Sequence, residues 1–213
     1  MATDRPGVIL AGGQARRMGG GDKGFLPLAG RRVIDHVIER LRPQCGRLAI
    51  NANGDPARFA GFGLPVLPDP VPGQPGPLAG LLAAMDWAAG LGAEAVVTAA
   101  ADTPFLPPDL VARLNAAATE GGAVAASPDA AGAMRAHPTF GLWPVRLRQD
   151  LARAIAGGER RLGFWAATCG AGRAVFGSDP FDPFFNINTP ADLAAAGVLA
   201  TGQADARGPR RIR

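Results

Sequence analysis

The chain has 213 residues, 47% of them hydrophobic and 19% charged, which is long enough for one large domain burying roughly 70% of its unfolded surface and too apolar for intrinsic disorder. The formal net charge is +4, and Arg207, Arg210, Arg211 and Arg213 crowd the last seven residues. Without that tail the body is near neutral, which argues against a nucleic-acid binder.

In chain order, "GVILA" (7–11) is a short apolar run that predicts a buried strand. It opens into "LAGGQARRMGGGDKG" (10–24), which contains six glycines, the adjacent Arg16 and Arg17, and Lys23, the only lysine among the chain's 22 basic residues. "RRVIDHVIERL" (31–41) puts Val33, Ile34, Val37, Ile38 and Leu41 on one helical face. "RLAIN" (47–51) and "LPVLPD" (64–69) read as the next two strands. "GPLAGLLAAMDWAAG" (76–90) is a helix with Pro77 in its first turn. "AEAVVTAAAD" (93–102) is a fourth strand, and "PPDLVARLNAAA" (107–118) a proline-started helix. Farther on, "HPTFGLWP" (137–144) reads as a strand, with helices expected over 146–158 and 158–170. "FFNINTPADLAAAG" (184–197) enters a helix with Thr189 as N-cap and Pro190 at its first position.

The alternation of strands and helices predicts an α/β fold of three layers: a mostly parallel central sheet with helices on both faces. One domain over 1–200 is expected, with 201–213 as a flexible Arg-rich tail. Cys45 and Cys169 are the two cysteines. They lack CxxC spacing, so a reducing compartment is expected, and neither a disulfide framework nor a zinc site. No run approaches the roughly 18 apolar residues of a membrane span, and no leader pattern opens the chain. Together these features predict a cytoplasmic protein.

In such sheets ligands sit at the carboxyl ends of the strands. Here those ends carry the glycine loop, Asn51, Asp69 and Asp102. Glycines let backbone N–H groups approach an anion closely, and Arg16, Arg17 and Lys23 add full charges, so the loop reads as a triphosphate cradle. It is not a P-loop, because Asp22 precedes the lysine and Gly24 follows it. "GGGDKG" (19–24) satisfies GxGxxG but begins well after the strand, and the next strand ends in Asn51 rather than an acid. Asp102, just beyond an apolar strand, suits either a turn before Pro104 or Mg²⁺ bound by one or two protein oxygens plus phosphates. Asn51 and Asn53 alone read as strand-ending turn residues. Asn186 and Asn188 share one side of an extended segment. His137 reads as structural or as a phosphate contact, and Arg160 and Arg161 of "GERR" as a solvated face or an anion site.

The loop "LAGGQARRMGGGDKG" resembles the signature of the nucleotidyltransferase superfamily, and its doubled glycine followed by Asp22-Lys23 is most similar to the molybdenum cofactor guanylyltransferases. "NAN" (51–53), "PDP" (68–70), "GPLAGL" (76–81), "ADTPFLPPDL" (101–110), "HPTF" (137–140), "GERR" (158–161) and "FNINTPADL" (185–193) extend the resemblance over about residues 7 to 197. It implies a Rossmann-like nucleotidyltransferase fold and Mg²⁺-dependent transfer of GMP from GTP to the phosphate of molybdopterin or its molybdenum-loaded form. It implies catalytic roles for Lys23, Asp102 and Arg17, with Asp102 on Mg²⁺. Leu10, Ala11, Gly12, Gly13, Lys23, Asn51, Asp69 and Asp102 would bind the nucleotide, and Asn186 and Asn188 the acceptor. Transient contact with molybdenum-insertion proteins or apo-molybdoenzymes is implied as well. The alternatives are a molybdopterin cytidylyltransferase, another sugar- or alcohol-phosphate nucleotidyltransferase, and a non-catalytic cofactor-handover module.

Overall fold

Two neighbours per strand and two buried faces explain the centre of the molecule. A computed structural model describes residues 4–12, 22–71 and 76–206. In it β1 (Pro6–Leu10) lies between β4 (Arg47–Asn51) and β6 (Ala95–Ala100), parallel to both. Side chains alternate between the faces, as the pleat requires. Ile9, Ile50 and Val97 join one core cluster, and Val8, Ala49 and Val96 join the other. A strand buried on both faces reads as a continuous apolar run, which is why these three were recognisable in sequence.

The whole sheet has seven strands in the order β5-β4-β1-β6-β8-β7-β9. The remaining members are β5 (Val66–Leu67), β7 (Ala123–Pro128), β8 (Met134–Pro144) and β9 (Gly172–Val175). Only β8 runs against the others. One face carries α1 (Val33–Leu41) and α3 (Leu110–Ala116), through residues such as Ile34, Leu41 and Leu110. The other carries α2 (Pro77–Gly90), α4 (Arg148–Ala156) and α5 (Leu162–Thr168), through Leu81, Met85, Leu151 and Trp165. The expected three-layer α/β architecture is therefore present. α2 is buried nearly all round, because it sits between the sheet and α4.

A small hairpin, β2 (Pro27–Leu28) with β3 (Arg31–Arg32), packs against the last helix, α6 (Pro190–Ala206). Leu28, Phe105, Ile187 and Ala196 form that separate core. The structure departs from the sequence reading in several elements. β7 and β9 were not expected, "LPVLPD" contributes only two paired residues, and α6 runs through Ala206, taking in the first six residues of the expected tail. The four tail arginines lie outside the described residues.

Candidate active site

One register change shapes the cleft. β6 and β8 stay paired only as far as Thr98↔Gly141. Beyond that point β8 continues with β7 alone, through a register shift between Val124↔Gly141 and Ala125↔His137. Residues 138–140 bulge out of that ladder and line the opening. Bulges of this kind re-aim side chains beside functional sites. The result is a cavity of about 610 Å³ at the carboxyl ends of β4, β1 and β6, a size suited to small-molecule ligands. From β4 to β8 it spans three strand spacings, on the order of 14 Å.

At the β4 end the polar groups are fixed by one another. Ala11 N donates to Asn51 O at 2.8 Å, extending the ladder into the loop. Asn51, buried at 3% exposure, donates from Nδ2 to Asp69 Oδ1 at 2.9 Å and to Leu67 O at 3.0 Å. Asn53 Nδ2 donates to Asp69 Oδ2 at 2.7 Å, and its Oδ1 accepts from Asp69 N at 2.9 Å. Both carboxylate oxygens of Asp69 are thus bonded by amides. α2 passes so close that a Cβ on Gly80 would collide with Asn51 Oδ1. Arg58 ties the same corner, donating to Asn53 O at 2.7 Å and pairing with Asp22. Leu10, Ala11 and Gly12 line the cavity beside this group.

At the centre stand Lys23 and Asp102. Lys23 opens a single 3₁₀ turn, Lys23–Phe25, and its Nζ lies 3.4 Å from Asp102 Oδ2. The same ammonium donates to Asn188 Oδ1. Asp102 Oδ1 accepts from Thr103 Oγ1 at 3.3 Å, and Asp102 O accepts from Ile187 N at 2.9 Å. The start of α6 holds Asn188 in turn. Asp192 Oδ2 accepts from the backbone N–H groups of Asn188 and Thr189, both at 2.9 Å, while Thr189 Oγ1 accepts from Asp192 N at 3.1 Å. This reciprocal cap realises the expected N-cap at Thr189. The Asn188 N–H is the main cause that keeps the Asp192 carboxyl below its ordinary value.

The β8 end is partly aromatic. Arg135, His137, Phe140, Phe184 and Asn186 line it. His137 stacks on Phe184 with ring centroids 4.6 Å apart, and its Nε2 is 2.7 Å from Ser127 Oγ. Burial is the main cause that lowers the pKa of this ring; Asp182 opposes the shift and Arg135 adds to it.

The structure therefore gathers Leu10, Ala11, Gly12, Lys23, Asn51, Asp69, Asp102 and Asn186 around one cavity. Asn188 stands behind Lys23. Gly13, Arg16 and Arg17 lie outside the described residues. Arg160 and Arg161 do not line the cavity: their backbone N–H groups donate to Glu159 Oε1 at 2.9 and 2.8 Å, and the Arg161 guanidinium lies over Phe164. Sequence reasoning missed Arg58, Thr103, Ser127 and Asp182. Thr103 directly follows Asp102, and Arg58 comes shortly after "NAN" (51–53), so both sit near motifs that pointed to the site. Ser127 and Asp182 have no such neighbour.

Among the described residues, no three His, Cys, Asp or Glu side chains converge as a metal cage, and no helix is long and apolar enough to cross a membrane. A lone central carboxylate suits a hard cation that takes most of its ligands from phosphates and water.

The model of the MobA-like NTP transferase domain matches residues 7–168. The molybdenum cofactor guanylyltransferase of Rhodopseudomonas palustris (strain BisB5) is 53% identical over 198 residues, covering 92% of this chain and 93% of its own. That of Cereibacter sphaeroides (strain ATCC 17029 / ATH 2.4.9) is 54% identical over 193 residues, covering 91% and 95%. The molybdopterin-guanine dinucleotide biosynthesis protein A of Archaeoglobus fulgidus shares the fold at 22% identity and a TM-score of 0.65, covering 92% of this chain and 99% of that one. The 2-C-methyl-D-erythritol 4-phosphate cytidylyltransferase of Thermus thermophilus shares it equally, at 22% identity and a TM-score of 0.65, covering 93% and 100%. With a domain match over most of its length and relatives more than half identical to it, the chain belongs to the molybdenum cofactor guanylyltransferases.

Proposed function

We propose that the cleft transfers GMP from GTP to the terminal phosphate of molybdopterin, or of its molybdenum-loaded form, and releases pyrophosphate. The observation that carries this reading is the layout of one cavity along one sheet edge. It has an amide–carboxylate end at Asn51 and Asp69, a lysine–carboxylate centre at Lys23 and Asp102, and a mixed aromatic end at Phe184 and Asn186. That layout suits two substrates meeting over the centre. The names of relatives more than half identical to this chain support the choice of donor and acceptor.

In this reading an acceptor phosphate oxygen attacks the α-phosphorus of GTP. The bond to the α–β bridging oxygen breaks, and its electron pair leaves with pyrophosphate. Lys23 sets an ammonium where that charge develops, a form of stabilisation that needs fixed placement. Asp102 would hold Mg²⁺, which supplies charge neutralisation and Lewis acidity to the phosphates. Leu10, Ala11 and Gly12 would bind the nucleotide through their backbone, Asn51 and Asp69 would read the nucleoside, and Asn186 would meet the acceptor. A cytoplasmic setting, with transfer of the product to molybdenum-insertion proteins or apo-molybdoenzymes, fits two free cysteines, one of them buried. The test is pyrophosphate release in the presence of molybdopterin and Mg²⁺ with each of the four nucleoside triphosphates. Release that depends on molybdopterin and is fastest with GTP supports the reading; a preference for CTP supports the cytidylyl alternative; release without any acceptor contradicts both.

A further inference from the structure

The contact between Ser127, His137 and Asp182 fixes where the hydrogens lie. Asp182 Oδ1 accepts from the Ser127 hydroxyl at 3.0 Å and from the backbone N–H of Phe184 at 2.9 Å. A hydroxyl has one hydrogen. With that hydrogen directed at Asp182, the 2.7 Å contact between Ser127 Oγ and His137 Nε2 must be donated by the ring. Nε2 therefore carries a hydrogen, and in the neutral ring Nδ1 is a bare lone pair.

Nδ1 belongs to a ring that lines the cavity. Among the described residues it has no hydrogen-bond partner, and the one fully buried side-chain nitrogen or oxygen without a partner is Trp165 Nε1. Nδ1 is therefore accessible, and the ring lines the cleft. The ring is also held against rotation. Phe184 stacks on it at 23° between planes, and Phe140 and Phe176 pack on Phe184 with centroids 5.0 and 5.2 Å away. A fixed lone pair in an aromatic wall recognises an N–H or O–H donor. It has nothing to offer a phosphate, whose oxygens are acceptors.

We propose that His137 Nδ1 is a specificity-determining hydrogen-bond acceptor for an N–H donor on the ring system of the molybdopterin acceptor, with Ser127 and Asp182 as positioning residues that set its tautomer. This rests on the acceptor named under the proposed function. His137 stands on β8, two strands beyond β1 and three beyond β4 with its nucleoside-side pair Asn51–Asp69. Its neutral form is favoured by burial, and the charged groups that act on it are Asp182, which stabilises the imidazolium, and Arg135, which opposes it.

Two substitutions separate the two nitrogens. In His137→Gln the longer amide reaches the Nε2 position and can still donate to Ser127, but nothing replaces Nδ1. In His137→Asn the shorter amide occupies the Nδ1 position. With molybdopterin as the varied substrate, His137→Gln should raise its KM roughly ten-fold, the loss expected when a desolvated donor is left without its acceptor. The KM for GTP should stay nearly unchanged, and His137→Asn should recover part of the molybdopterin affinity. Proton–nitrogen correlation spectra of histidine-labelled protein read the tautomer directly, since the chain has only two histidines and the His137 signal is identified by its absence from His137→Gln. The expected spectrum shows a protonated Nε2 and a bare Nδ1, and the Nδ1 resonance moves on adding molybdopterin but not GTP. Wild-type protein that transfers GMP normally while His137→Gln keeps a wild-type KM for molybdopterin overturns the role of His137 and leaves the proposed function standing. A hydrogen on Nδ1, or an equal rise in both KM values, also overturns it. Failure of the wild-type chain to use molybdopterin at all overturns the proposed function itself.

Discussion

Asn188 accepts a hydrogen bond from Lys23 across 165 residues of chain. The capping box at the start of α6 fixes Asn188, and Asn188 fixes the ammonium beside Asp102, so the last helix controls the geometry of the central cation. The neighbouring Asn186 lines the cavity itself. The two amides, read from sequence as one acceptor-binding pair, stand in different surroundings and should behave differently. Asn186→Ala should raise the KM for molybdopterin with kcat nearly kept. Asn188→Ala should lower kcat, because it frees Lys23 without removing a cavity wall. Steady-state kinetics with each substrate varied in turn distinguishes the two patterns, and identical patterns would contradict the division.

Lys23 lies between a carboxylate and an amide that both accept from a compact ammonium. A guanidinium has the same charge in a wider planar fork. Lys23→Arg should therefore fold normally and lose kcat by about 100-fold, the typical effect of misplacing one electrostatic group. GTP affinity should fall less than the rate, because ground-state charge is retained. Wild-type turnover by the arginine variant would mean that any positive charge suffices.

Two effects of opposite sign compete at Gly80. Alanine in a helix interior is favoured over glycine by about 1 kcal/mol. Here, however, its Cβ would meet the buried Asn51 side chain, which Asp69 and Leu67 hold in place. Overpacking of this kind costs roughly 1–3 kcal/mol, so the steric term should win. Gly80→Ala should lower the unfolding midpoint in denaturant and raise the KM for GTP, through displacement of Asn51. A stabilised variant with normal GTP affinity would show that Asn51 can move freely.

The parts of the fold readable in sequence were those where one property repeats. β1, β4 and β6 are apolar runs closed by Gly, Asn or Asp, and α1 shows a clean helical face with Val33, Val37 and Leu41 buried. β7 escaped because half of "AVAASP" is alanine, which favours neither period, and β9 because it is only four residues long and opens on Gly172. α6 ran past its expected end because alanines continue the helix through Gly197. Asp69 and Asn51 were identified singly, whereas their mutual bond depends on the parallel pairing of β4 with β5. Lone Ser127 and Asp182 lie 55 residues apart, and no spacing rule joins them.

Acid should act on His137 in a defined direction. Its folded pKa is below the ordinary 6.5, chiefly through burial. The folded state thus binds this proton less readily than the unfolded chain. The resulting stability is fully present above pH 6.5 and is lost as pH falls through the lower folded value. The unfolding free energy of the wild type minus that of His137→Gln, followed by denaturant titration on both sides of that value, should fall toward acid pH. A difference that is flat or that grows toward acid would contradict the burial of a neutral ring.

Guanylyl transfer is tested most directly by following two labels through one turnover. GTP labelled at the α-phosphorus should pass its label to a molybdopterin–guanine dinucleotide, and GTP labelled at the γ-phosphorus should pass its label to pyrophosphate. Both transfers should require molybdopterin and should slow together, by about 100-fold, in Lys23→Arg. Recovery of the γ-label on the acceptor would make the reaction a phosphorylation, and release of labelled GMP to water would make it a hydrolysis; either result would contradict guanylyl transfer.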